Sequence, residues 1–443
     1  MYGLENNLFM RAMRMTILDM FHTKPKMSFL GLLSNLLGSM DCLAYLFLAP
    51  TLHHLFFPTY PLQIGIAYSF LLFAISRILR PIGGFLIDYY YPTLSQLRDM
   101  HAVKLCLLTS VPTLCLGLLP THQSIGSIAP ILLVVLTALH SIIKALWMPG
   151  LHKPVLFQIV PEMATVPLTI IGSFISGLFF LYLTPEAIQT WGWRLPFLVQ
   201  IPLAVGIALL KHSSYVSPIE QPLQLNKASI AKAISKQKKS IIVGSIISSA
   251  LVGSAYTLSL YLPLYLTDLN YKLSTILFIN GLSLAGVNIV QYSYARLGHY
   301  YDRYFDGTSL TVVGLILGVA FTYPLVLMLQ KTSLLYVGYI LFSLHFLTRL
   351  LFHTHGILHV LFLQLTPNHS KQDISPHEHQ ISYWLNTILS LLPAIILGNM
   401  VPFICSYFIN NKGFILFPAY YSIALNIVAL ITFLLFKGRK SPQ

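Results

Sequence analysis

The chain has 443 residues, of which 56% are hydrophobic and 9% charged, and its formal net charge is +14. A soluble domain carries roughly 25% charged residues, so the polar surface that keeps a chain in water is missing and lipid must be the solvent for most of it. The basic residues stand in short segments between apolar runs rather than in one stripe, which argues against a nucleic-acid partner and for topology signals.

Residues 1–27 form a polar, basic, Met-rich lead with an amphipathic stretch around Leu8–Phe21. It is expected to lie at the cytoplasmic interface, and no cleavable signal peptide is visible. A helix needs about 20 mainly apolar residues to cross about 30 Å of hydrocarbon. That ruler gives twelve candidate spans, at 28–50, 61–88, 101–119, 127–149, 163–184, 193–211, 240–266, 273–296, 308–329, 334–361, 381–408 and 413–436. Residues 212–239 form the one long polar connector. It divides the chain into two six-span halves, 28–211 and 240–436, followed by a short basic tail, 437–443.

Connections on one side hold few Lys or Arg: His53 and His54 in the first, none at 120–126, and only Glu186 near 184–192. The opposite set carries Arg11, Arg14, Lys24, Lys26, Arg98, Lys104, Lys227, Lys232, Lys236, Lys238, Lys239, Arg296, Arg303, Lys437, Arg439 and Lys440. The positive-inside rule therefore places both termini in the cytoplasm.

A glycine-acid turn closes the second span of each half, as Gly84…Asp88 and again as Gly298…Asp302. Two parallel repeats that rock about a midplane site produce such a pattern. Ionisable side chains in hydrocarbon are costly, so each one is a functional candidate. Asp41 lies halfway along the first span with Tyr45 one turn later, and His140 and Lys144 have the same spacing in the fourth. His345, Arg349 and His353 continue it in the tenth, while Tyr256, Tyr261 and Tyr265 stand in the seventh. Each has a plainer alternative. Asp41 and Lys144 as a buried pair would only hold two helices together, and Lys144 can also snorkel to the interface. Arg349 cannot shed its charge, which favours contact with a substrate anion or a carboxylate.

The four cysteines, Cys42, Cys106, Cys115 and Cys405, all fall inside apolar runs and read as reduced packing thiols. His353, His355 and His359, with the loop triplet His377-Glu378-His379, lack a completing Cys or carboxylate, so no metal is expected. No Walker loop, Gly-x-Ser-x-Gly or dinucleotide fingerprint occurs. An ATP-driven pump and a membrane hydrolase lack their chemistry, and neither enzyme activity nor cofactor is expected.

Several motifs occur in order and in the right spans. They include Asn35…Asp41…Tyr45, Arg80-Pro81-Ile82-Gly83-Gly84-x-x-x-Asp88, Ile125-Gly126-x-x-Ala129-Pro130, Trp191-Gly192-Trp193-Arg194-Leu195-Pro196-Phe197, Tyr261-Leu262-Pro263-Leu264-Tyr265, Gly298-x-x-x-Asp302-Arg303 and Pro418-Ala419-Tyr420-Tyr421. Together, over about 28–436, they resemble the metabolite:proton symporter branch of the major facilitator superfamily, which includes proline/betaine, citrate, 2-oxoglutarate and shikimate carriers. The resemblance implies an all-α polytopic protein of twelve helices in two six-helix pseudo-repeats. Spans one, four, seven and ten would line the central cavity, and Arg80, Gly84, Asp88, Gly298, Asp302 and Arg303 would serve the cytoplasmic gate.

The chain departs from the family where Tyr89-Tyr90-Tyr91-Pro92 follows Asp88, where Phe305 and Asp306 replace Gly and Arg, and where Ala145-Leu146-Trp147-Met148 replaces Gly-Gly-Glu-Tyr. The expected function is secondary transport in a bacterial inner membrane, by a monomer. Two cavity cations against one anion favour a carboxylate-bearing or zwitterionic solute, with a proton as coupling ion. A transporter-like sensor or scaffold is the alternative that the departures leave open.

Overall fold

The computed structural model describes residues 40–41, 43–90, 102–144, 161–212, 227–257, 261–268, 271–286, 307–331, 335–345, 348, 393, 396–398 and 400–437. Every regular element among them is helical. Numbered by the span to which the sequence assigns them, the helices are α1 Ala49–Phe56, α2 Leu62–Tyr90, α3 Ala102–Gly117, α4 Ile128–Lys144, α5 Pro161–Tyr182 and α6 Gln200–His212. They continue with α7 Lys227–Tyr256, α8 Leu273–Gly286, α9 Gly307–Leu329, α10 Leu335–His345, α11 Val401–Lys412 and α12 Phe417–Lys437.

α4 shows why this is a lipid-solvated fold. Ile128, Ile131, Val135, Leu139 and Ile142 are exposed, while Thr137, His140, Ser141 and Lys144 are buried. The buried set recurs at helical spacing, so the polar stripe faces inward and the aliphatic stripe outward. That polarity is wrong for water and right for a bilayer. α12 repeats the outward half of the pattern with Ile427, Val428, Ile431, Leu434 and Leu435. Two helices among the described residues, Thr311–Leu329 and Phe417–Leu435, are long and apolar enough to cross a membrane on their own; α2, α3, α4, α5, α7, α8 and α10 contain shorter apolar stretches.

The first span is broken just beyond Asp41. Leu43–Phe47 form a π-helical turn, in which the Leu48 amide donates to the Leu43 carbonyl at 3.1 Å. α1 then starts afresh with Pro50 in its first turn, where a missing N–H costs nothing. The helix therefore runs on to Phe56, and His53 and His54 sit within it rather than in a connection. Span seven breaks alike. Thr257 and Tyr261 are π-helical, and Leu262–Asp268 restarts with Pro263 near its beginning. As many residues separate Leu43 from Thr257, and Phe47 from Tyr261, as separate Gly84 from Gly298.

α7 begins at Lys227, inside the stretch that composition marks as connector. Ala228, Ala231, Lys232, Ala233, Lys236 and Gln237 are good helix formers with few turn residues among them, so the helix extends out of the hydrocarbon. Span six enters through short turns, Pro185–Thr190, Gly192–Arg194 and Leu195–Leu198, before α6.

α1 packs on α2, α2 on α4, and α3 on both α4 and α6; α12 packs on α7, α9 and α11. The two halves meet where α2 touches α11 and where α5 meets α8. At the second contact the packing is reciprocal. A Cβ on Gly281 would lie 3.0 Å from the Phe174 ring, and one on Gly177 would lie 3.3 Å from Phe278. Beside these rings Asn280 Nδ2 donates to Ser173 Oγ at 2.9 Å, and Tyr339 of α10 donates to Asn280 Oδ1 at 3.1 Å.

Candidate substrate and coupling site

Asp41 is 1% exposed and faces α4 from the stretch just before the π turn. Span one and α4 meet rung by rung, Asp41 against His140 and Lys144, and Tyr45 against Thr137. Numbers rise on one side as they fall on the other, so the two segments run antiparallel. On the second rung the Tyr45 hydroxyl lies 3.2 Å from Thr137 Oγ1, and its ring meets Phe197 edge-on at 5.7 Å.

The first rung is charged. Lys144 Nζ donates to Asp41 Oδ2 at 3.0 Å and to Gln200 Oε1 at 3.2 Å. Gln200 Nε2 in turn donates to Asp41 Oδ1 at 3.2 Å and to the Pro196 carbonyl at 3.1 Å. Acid, cation and amide thus close a ring drawn from spans one, four and six. An ion pair so deep is tolerable only because further hydrogen bonds complete it. His140 Nε2 approaches Asp41 Oδ1 to 3.7 Å. Its Nδ1 lies 2.9 Å from Thr113 Oγ1 of α3, whose hydroxyl also reaches the Thr109 carbonyl at 2.9 Å. An ionised Asp41 paired with the Lys144 ammonium leaves the cluster neutral while His140 is neutral.

No family model matches the chain. Its sequence is 22% identical over 427 residues to the proline/betaine transporter of Salmonella typhimurium, covering 90% of this chain and 81% of that one. It is 24% identical over 323 residues to the alpha-ketoglutarate permease of Escherichia coli, covering 69% and 72%. Among solved structures, a proton:xylose symporter of the major facilitator superfamily, bound to 6-bromo-6-deoxy-D-glucose, superposes with a TM-score of 0.60 at 13% identity. That match covers 94% of this chain and 95% of the other. The chain has the fold of the major facilitator transporters and, like these relatives, is a transporter of small organic solutes.

In this transporter the structure brings Asp41, Tyr45, His140 and Lys144 into one cluster. Two other residues singled out from sequence lie apart from it in their described contacts. His345 packs on Phe321 and Phe342, with Nε2 3.4 Å from Thr322 Oγ1. Tyr256 lies against Gly398, whose Cβ, if present, would meet its ring at 2.9 Å. Arg349, Gly298, Asp302 and Arg303 lie outside the described residues, as do His353, His355, His359, His377 and His379. Arg80, Gly84 and Asp88 belong to the last turns of α2, which runs through Tyr90, and their side chains lie outside the described ones.

Three members of the cluster escape a reading of the sequence: Gln200, Thr113 and Thr137. Each is neutral, and neutral polar residues are common in spans. The available signals were weak. Thr137 shares the helical register of His140 and Lys144, and Gln200 interrupts the apolar run of the sixth span.

Proposed function

We propose that this transporter moves a small organic solute bearing a carboxylate, anionic or zwitterionic, and that Asp41 couples its movement to a proton. The buried ring of Asp41, Lys144 and Gln200 carries this reading. A cation whose only counter-charge in the ring is one carboxylate can exchange that partner for a substrate carboxylate once a proton taken up by the cluster offsets the charge of Asp41. Its relatives, which include proline/betaine, alpha-ketoglutarate and shikimate transporters, support the same solute class. Arg349 supplies a second anchor, because its fork can grip a carboxylate with two parallel bonds. Asp302 with Arg303 serves the cytoplasmic gate more than Asp88, which has no adjacent Arg. The protein works as a monomer of two six-helix bundles in a bacterial inner membrane, with both termini in the cytoplasm.

The test is uptake by the purified chain in proteoliposomes, with radiolabelled proline, glycine betaine, 2-oxoglutarate and shikimate as probes. At least one should enter, and Arg349→Ala should lower its uptake about tenfold or more. If none enters and none shifts the melting temperature, a sensor or scaffold replaces the carrier.

A further inference from the structure

The geometry points to His140 as the residue that receives the coupling proton, and to Lys144 as the charge that this proton makes available to the solute. The inference rests on the transport reading above and says where within the cluster its proton is held.

An imidazolium needs an acceptor at each ring nitrogen; around His140 one stands at hydrogen-bond distance from Nδ1 and a carboxylate stands at ion-pair distance from Nε2. Thr113 Oγ1 lies 2.9 Å from Nδ1, and because its own hydrogen can go to the Thr109 carbonyl, its lone pairs face the ring. Asp41 Oδ1 lies 3.7 Å from Nε2, which places a carboxylate opposite the second N–H. Asp41 offers its other oxygen, Oδ2, to Lys144 at 3.0 Å. The carboxylate thus stands between the Lys144 ammonium and the His140 ring. Other charged or titratable side chains described on elements packed around α4 are Arg77 of α2, whose guanidinium lies 5.3 Å over the Phe73 ring, Tyr68 of α2, Cys115 of α3, and His122 in the short helix before α4.

Charge counting gives the sequence of events. With His140 neutral, Asp41 and Lys144 cancel. A proton entering from the aqueous side and settling on Nε2 draws Asp41 Oδ1 toward the imidazolium and leaves the cluster with one positive charge. Lys144 keeps its bond to Gln200 Oε1 at 3.2 Å, which holds the ammonium in position while its counter-charge is divided. A solute carboxylate then restores neutrality. Loss of the proton returns Asp41 to Lys144 and expels the carboxylate. Proton and carboxylate enter and leave together because a buried site of low polarity resists an uncompensated charge.

The test labels the imidazole nitrogens of the full chain with 15N in nanodiscs and compares it with His140→Gln. Of sixteen histidines, the one signal missing from the variant should convert from a neutral tautomer to imidazolium as the pH is lowered across the range used for uptake. In proteoliposomes supplied with proline or 2-oxoglutarate, the ratio of uptake at about pH 6 to that at about pH 8 should fall to about one in His140→Gln. Thr113→Val should shift the midpoint of both profiles and Thr113→Ser should restore them, which guards against a variant that merely folds badly. A signal that stays neutral throughout, or a His140→Gln uptake profile that follows the parent's, overturns the assignment. If the parent moved neither probe, the transport reading would fall, while the 15N comparison would still decide whether His140 takes the proton.

Discussion

Asp41 has more partners than oxygens: Lys144, Gln200 and His140 converge on two acceptors. Removing one member of a buried pair leaves the other charge without compensation, which costs about 3–5 kcal/mol, whereas removing both can be close to neutral. Lys144→Met should therefore melt well below the parent in detergent, and Asp41→Asn combined with Lys144→Met should recover most of the loss. Equal melting of the single and double variants would show that the pair carries no coupling energy. The charged half of this cluster was legible in sequence because an ionisable residue in an apolar run has few reasons to be there. Gln200 and Thr113 were not, because which face of α3 or α6 turns toward Asp41 is set by packing between helices and not by either helix's own pattern.

At the level of elements, two kinds of feature shape the bundle. The wide turns at Leu43–Phe47 and at Thr257 and Tyr261 release a span from regular helical register next to the places where its side chains are needed, as π-helical insertions often do at functional sites. Pro50 ends the first candidate span of the sequence, and Pro263 lies inside the seventh. In the structure each follows such a turn near the start of a new helical segment, so span one ends later than its apolar pattern suggests. The other feature is the contact of α5 with α8, where Phe174 covers Gly281 and Phe278 covers Gly177. Gly281→Val should press on Phe174, destabilise the protein by about 1–3 kcal/mol through overpacking and slow uptake. Gly206→Ala, where an added Cβ meets nothing within 4 Å, should leave the melting temperature within error of the parent. If both variants melt with the parent, the α5–α8 contact is looser than its geometry indicates.

For the whole molecule, the lipid-facing surface and the fold class were legible because composition and apolar run length reflect the solvent directly. The beginning of α7 at Lys227 was not legible, since a basic stretch rich in alanine suits both a connector and a helix that leaves the membrane. The basic asymmetry of the connections predicts sidedness. Single cysteines placed at His54 and Gln123 should react with an impermeant maleimide from outside the cell, and one placed at Lys238 should not. Labelling of all three from one side would contradict the topology. The central claim is that solute movement is tied to a proton through the Asp41 cluster, and the most direct test imposes a pH gradient on proteoliposomes and follows labelled proline and 2-oxoglutarate. The parent chain should accumulate at least one of them above its external concentration only when the interior is the more alkaline side, and Asp41→Asn should abolish that accumulation. Accumulation indifferent to the gradient, or an Asp41→Asn variant that concentrates the solute as the parent does, would contradict the account.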